Sequence, residues 1–166
     1  MERRFGAGSD RVGGMSRSGY VYDWDDHWGM IRWRGAVAQA VRGRRGQQLL
    51  RDLAAALDAM PEKRLIANDL VDANGCHCAL GVLGETRQMD LAALEPEDTQ
   101  QVANAFGVAD ALIREIVYIN DEGQFRWDGE RYLDANDPLV CERRWKEVRD
   151  WVQQRIEGAD AQAVAA

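Results

Sequence analysis

The chain has 166 residues, 46% of them hydrophobic and 30% charged, with a net charge of −7. Length and composition describe one domain of ordinary soluble type. No apolar run approaches the ~20 residues a bilayer demands, and the N-terminus lacks an apolar signal-peptide core, so neither a membrane span nor export is expected.

The charge is uneven. Residues 1–51 hold ten arginines against five acids, a surplus of five positive charges, which leaves residues 52–166 with twelve negative ones. No acid occurs from His27 to Arg51. Such polarity points to an electrostatic partner for one half, or to neutralisation of one half by the other within the fold. The three cysteines are an odd count. Cys76 and Cys78 point to opposite faces of an extended chain and cannot bridge each other. All three read as reduced thiols of a cytoplasmic protein.

Residues 1–19 are rich in Gly, Ser and Arg and read as a disordered arm. Met15 offers a second start, which would make the first fourteen residues an upstream extension. Asp23 or Asp25 can cap a first helix running to about Arg42. That helix has two apolar faces at the helical period. Met30, Trp33, Val37, Ala40 and Val41 form one along most of its length; Trp24, Trp28 and Ile31 form the other, with Arg32 at its edge. Gly43-Arg44-Arg45-Gly46 breaks the chain. A second helix carries Leu49, Leu50, Leu53, Leu57 and Met60 on one side and ends at Pro61. The short loop favours an antiparallel pair.

Leu65–Val71, the Asn74-Gly75 turn signal and Cys76–Ala79 predict a small hairpin. Ala79 to Gln88 predicts a helix at the centre of the domain. Leu80 and Leu83 point inward there, and Gly81 and Gly84 allow close backbone approach. Pro96 opens the next helix, with Glu95, Glu97 and Asp98 suiting its positive end, and Gly107 is its left-handed stop. Val108 to Ile119 is a further helix. Gln124–Trp127 and Glu130–Leu133 around Asp128-Gly129 predict a second hairpin, with Phe125 opposite Tyr132. Asp137 and Pro138 open the last helix, whose inward row is Cys141, Trp145, Val148, Val152 and Ile156. Residues 159–166 read as a frayed tail. The expected fold is therefore mainly α: a single helical domain over 20–158, with about six helices and one or two small hairpins.

Four groups of residues are candidates for chemistry. Cys76, Cys78, His77, Cys141 and His27 are zinc-binding types, but structural zinc takes cysteine pairs spaced by two to four residues and four closed ligands. A C-x-C pair without a second knuckle reads as buried structural thiol, with no metal or other cofactor. A nucleophilic cysteine needs a base in reach, and only His77 and His27 are available. Residues 101–116 have helix-turn-helix spacing, yet the second helix offers Asp110, Glu115 and the single Arg114, and acids there repel phosphates. A plain helix corner is expected. Finally, the Trp/Arg helix from Trp24 to Arg45 suits a binding hot spot or nucleic acid, or a helix buried on both sides.

Across residues 20–156 the chain resembles a family of small uncharacterised proteins encoded by bacteriophages and prophages. The resemblance lies in the Cys-rich lead into Ala79-Leu80-Gly81-Val82-Leu83-Gly84, the Phe106-Gly107-Val108 break, Asn120-Asp121-Glu122-Gly123 and the closing Trp/Val helix. It implies no catalytic residues. The expected function is that of a non-enzymatic accessory protein of such a mobile element, in a host bacterial cell, that binds a host or phage protein; by analogy, an inhibitor of a defence or regulatory complex is one form. Trp24, Trp28, Ile31 and Arg32 are the expected partner-binding residues. The alternative is nucleic-acid binding through Arg32, Arg42, Arg44 and Arg45 of the basic Arg/Trp helix, or through the 101–116 corner.

Overall fold

A computed structural model describes residues 17–20 and 27–157. Among these residues the chain forms six α-helices and no strand. They are α1 (His27–Arg42), α2 (Arg44–Ala59), α3 (Ala79–Thr86), α4 (Thr99–Phe106), α5 (Asp110–Asp121) and α6 (Pro138–Gln153), with a 3-10 turn over Leu91–Ala93. No described helix is long and apolar enough to cross a membrane. The candidate cap residues Asp23 and Asp25, Met15 and the 159–166 tail lie outside the described residues.

The core is laid down by α2, whose Leu49, Leu50, Leu53 and Leu57 are buried. Each such side chain contributes roughly 1.5–3 kcal/mol by leaving water. Against them sits α3, a short helix buried on all sides from Ala79 to Gly84. That burial requires glycine in its first turn. A Cβ on Gly81 would lie 1.9 Å from the Leu70 carbonyl oxygen. The α4–α5 corner adds Val102, Phe106, Leu112, Ile113 and Ile116, and α6 closes the core with Val148, Trp151 and Val152. α1 packs on α2 and α5 from outside and buries no residue fully.

The two expected hairpins do not form strands. Each reduces to one bridge, Val71 with His77 and Trp127 with Tyr132. The first stays short because three amides of its leading arm are claimed from elsewhere. Leu65 N–H donates to the Cys141 carbonyl at 3.1 Å, Ala67 N–H to Asn136 Oδ1 at 2.8 Å and Asn68 N–H to Asp121 Oδ1 at 3.3 Å. In the second, Asp128 accepts from the amides of Glu130 and Arg131, which fixes a four-residue turn rather than a two-residue one. Trp127, not Phe125, therefore faces Tyr132.

Helix starts also shift, α5 to Asp110 from the expected Val108 among them. The break before α2 shrinks to Gly43, and α2 begins at Arg44. α4 begins at Thr99 rather than Pro96, because Asp98 Oδ1 accepts from Gln101 N–H at 2.9 Å and so caps the helix there. Gly107 ends it in a left-handed turn, φ 71°. Asp137 caps α6, accepting from Leu139 N–H at 2.9 Å, with Pro138 at the first position.

Candidate functional site

The absence of Asp and Glu from His27 to Arg51 leaves the outer surface of α1 and the start of α2 lined by cations. Trp28 is 74% and Ile31 59% exposed, one helical turn apart, with exposed Arg32 beside them. Trp24, the fourth expected member of this patch, lies outside the described residues. Arg42, Arg44 and Arg45 are exposed as well. Among the described residues none of Arg32, Arg34, Arg42, Arg44, Arg45 and Arg51 is paired with an acid.

The opposite side of α1 is packed. Trp33 meets the Tyr20 ring edge-on at 4.9 Å, and the Arg114 guanidinium lies 4.3 Å from the Trp33 ring centre. Residues 17–19, the end of the expected arm, are packed too. Arg17 lies 3.1 Å from Asp121 with both side chains buried, Ser18 Oγ donates to Glu122 at 2.6 Å, and the Tyr20 hydroxyl donates to Glu115. Burial, followed by the Glu115 carboxylate, pushes the Tyr20 phenol up.

These contacts engage the second helix of the helix-turn-helix-like corner. Arg114, the one cation of the second helix, donates to the carbonyls of Ser18 and Gly19 and stacks on Trp33. Glu115 accepts from Tyr20. The residues that would read a nucleic acid instead hold residues 17–20 and α1 in place.

The thiols separate into two environments. Cys78 and Cys141 are buried, and burial pushes both thiols up, away from thiolate. Cys76 is exposed, contrary to the expectation that all three are shielded. The cause is local: Asp72 Oδ1 accepts from the amides of Asn74 and Cys76, closing a turn that carries Cys76 outward. His77 lies 3.6 Å from Glu85 through Nε2, and His27 is exposed at the start of α1. Among the described residues no three of His, Cys, Asp and Glu gather where they could hold a metal.

Three features were not anticipated from sequence. The first is a polar hub under the end of α5. Asn120 accepts from Ala79 N–H at 3.1 Å, capping α3 from a distance, and donates to the Ile66 carbonyl at 2.8 Å. Arg144, fully buried, donates to the carbonyls of Asn120, Leu65 and Ala135, each at 2.7 Å. Burial pulls its guanidinium down from its ordinary value.

The second comprises two grooves. One of about 950 Å³ lies between the end of α2 and α6. Its charges neutralise one another: Arg149 with Asp58 at 2.6 Å, Arg64 with Glu142 at 2.8 Å, Lys146 with Asp150 at 3.0 Å. The other, of about 470 Å³, lies between α1 and the end of α6, along Trp33, Val37 and Val41. The third is the exposed aromatic turn of Phe125, Trp127 and Tyr132. Its signal in the sequence was three aromatics in a hairpin with no facing apolar segment. Compared with family models, curated proteins and solved structures, the chain gives no match.

Proposed function

We propose that this is a non-enzymatic accessory protein of a phage or other mobile element, acting by binding a host or phage protein through the outer face of α1. One observation carries the reading: Trp28 and Ile31 are left open to water on a small domain, beside Arg32. Clustered apolar side chains in water tend to mark interaction surfaces, and Trp and Arg are the types most enriched at binding hot spots. The mobile-element setting rests on the short-motif resemblance. A partner bound in this way would block or redirect whatever that surface normally meets, as an inhibitor of a defence or regulatory complex does.

The test is affinity capture from nuclease-treated bacterial lysate with the native chain and with Trp28→Ala/Ile31→Ala. A protein retained by the first and lost by the second, at equal melting temperature, is the expected result. Equal retention by both would remove α1 from the reading.

A second reading, nucleic-acid binding through Arg32, Arg42, Arg44 and Arg45, is favoured by the lack of acidic partners for these exposed side chains among the described residues. It requires an affinity that falls steeply with salt and that survives Arg114→Ala.

A further inference from the structure

The groove between α1 and α6 has a different chemistry from the exposed patch of Trp28 and Ile31. Its floor is the half-buried row Trp33, Val37 and Val41, with Ala38 beside them. Among the described residues its rim carries Arg34, Arg42 and Arg155, with Gln154, and no acid. Arg34 and Arg42 are exposed, and Arg42 Nε donates to the Ala38 carbonyl of its own helix, at 3.3 Å. Arg155 is half-buried; its guanidinium lies 4.3 Å from the Trp151 ring centre and donates to the Trp151 carbonyl at 3.2 Å. The acid whose charge reaches it, Glu115, is already held by the Tyr20 hydroxyl. The rim is thus three cations with no carboxylate in hydrogen-bond contact among the described residues.

An apolar floor between unpaired guanidinium groups selects its occupant. A nucleic acid would find the arginines but would leave the valines unused. A neutral apolar ligand would leave the arginines unused. A protein segment with a row of apolar side chains flanked by Asp and Glu satisfies both. The backbone amides of α1 are committed to its own helix, so the groove offers no strand edge to extend. The occupant must engage it with side chains alone. From Trp33 to Arg42 the groove runs roughly 13 Å at the helical rise, room for apolar residues at i, i+3 or i+4, and i+7.

We propose that this groove docks an acidic amphipathic helix of a partner protein, with its apolar row on Trp33, Val37 and Val41 and its carboxylates on Arg34, Arg42 and Arg155. The proposal rests on the reading above only in taking the partner to be a protein. It names that partner's chemistry and a binding surface separate from Trp28.

The experiment is selection of random 16-residue peptides on the native chain. Enriched peptides are then measured against Arg34→Glu/Arg42→Glu, Val37→Asp and Trp28→Ala, each first checked for an unchanged melting temperature. The charge-reversed pair alters only exposed side chains and serves even if Val37→Asp does not fold. Enriched peptides should carry Asp or Glu around apolar residues at helical spacing. They should bind the charge-reversed variant at least tenfold more weakly and Trp28→Ala as well as the native chain, and should weaken with salt. The proposal is overturned if no peptide is enriched, if the enriched peptides lack acids, or if charge reversal leaves their binding unchanged. It is equally overturned if a DNA duplex displaces them at lower concentration, or if salt-sensitive self-association through the same arginines shows that a second copy occupies the groove. Loss of binding in Trp28→Ala alone would sink the groove and leave the exposed patch standing.

Discussion

At the carboxyl end of α5, three consecutive side chains hold other parts of the chain: Asn120 the start of α3 and residue 66, Asp121 residues 17 and 68, Glu122 residue 18. Along the outer face of α1 and the start of α2, six arginines in sequence meet no acid at all among the described residues. Both regions are polar, but burial reverses what the polar groups do. Inside, an unmet donor or acceptor costs its full desolvation, so the hub contributes to stability only as a complete set. Outside, an unpaired guanidinium keeps its water and costs nothing until a partner arrives. The contrast predicts that changes in the hub unfold the protein and that changes on α1 leave it folded.

The sharpest way to break that contrast is Arg144→Met. It leaves the carbonyls of Asn120, Leu65 and Ala135 without their buried donor, and should cost about 3–5 kcal/mol, the range for breaking a buried charged network. Urea unfolding would measure it, and a loss under about 1 kcal/mol would show that the hub is not a cooperative set. Next comes Gly81→Ala, which places a Cβ against the Leu70 backbone. Backbone cannot step aside as a side-chain tip can, so α3 must move off the 65–78 loop at a cost on the order of 1–3 kcal/mol.

How much of this was legible in the sequence follows from range. The leucine row of α2, the Asp137-Pro138 start of α6 and the Gly107 stop are local signals, and they sit where the local pattern puts them. The arginine cluster and the two-faced pattern of α1 also follow from composition and spacing. Arg144 does not. A charged residue inside an amphipathic helix reads as solvent-facing, and the carbonyls that draw it inward lie 24 and 79 residues away. The first hairpin failed for the same reason, because the amides of residues 65, 67 and 68 bond to distant partners that no turn signal reveals. The groove under α1 needs α6 beside it, which no stretch of α1 announces.

A third test uses pH. Tyr20 and Cys78 both have pKa values raised by burial. A group raised in the folded state binds its proton more tightly there, so its contribution is complete below the unfolded value and is lost as pH rises from there through the folded value. Stability should therefore decline from about pH 9 upward, where the unfolded thiols begin to ionise. On the acid side Asp58, held below its usual range chiefly by hydrogen bonding from Arg149, loses its contribution as pH falls below about 3.8. Tyr20→Phe should flatten part of the alkaline decline. An unchanged alkaline slope would mean that Tyr20 does not hold residues 17–20 to α5 in solution.

Thiol labelling reads the hub without altering it. Below the denaturation midpoint, Cys76 should react and Cys78 and Cys141 should not, giving one modified thiol per chain by mass and three after unfolding. Fast modification of a second thiol in the folded state would place an opening near α3 that the structure lacks.

The smallest expected effect is also the one that most directly tests function, and it sets two tryptophans of one helix against each other. Trp33 is wedged between Tyr20 and Arg114, and its indole nitrogen is buried. Trp33→Ala removes the floor that Arg114 stacks on and loosens residues 17–20, which should cost about 2–4 kcal/mol, just short of a fully buried tryptophan. Trp28 is mostly in water, so Trp28→Ala should change stability by less than about 0.5 kcal/mol, the range of surface substitutions. If both variants melt alike, the two faces of α1 are not distinct and the helix is either wholly core or wholly loose. If Trp28→Ala is the harmless one and still loses the captured protein, the exposed face binds rather than folds. If it is harmless and captures as before, the partner meets another surface, and the aromatic turn of Phe125, Trp127 and Tyr132 is the next to change.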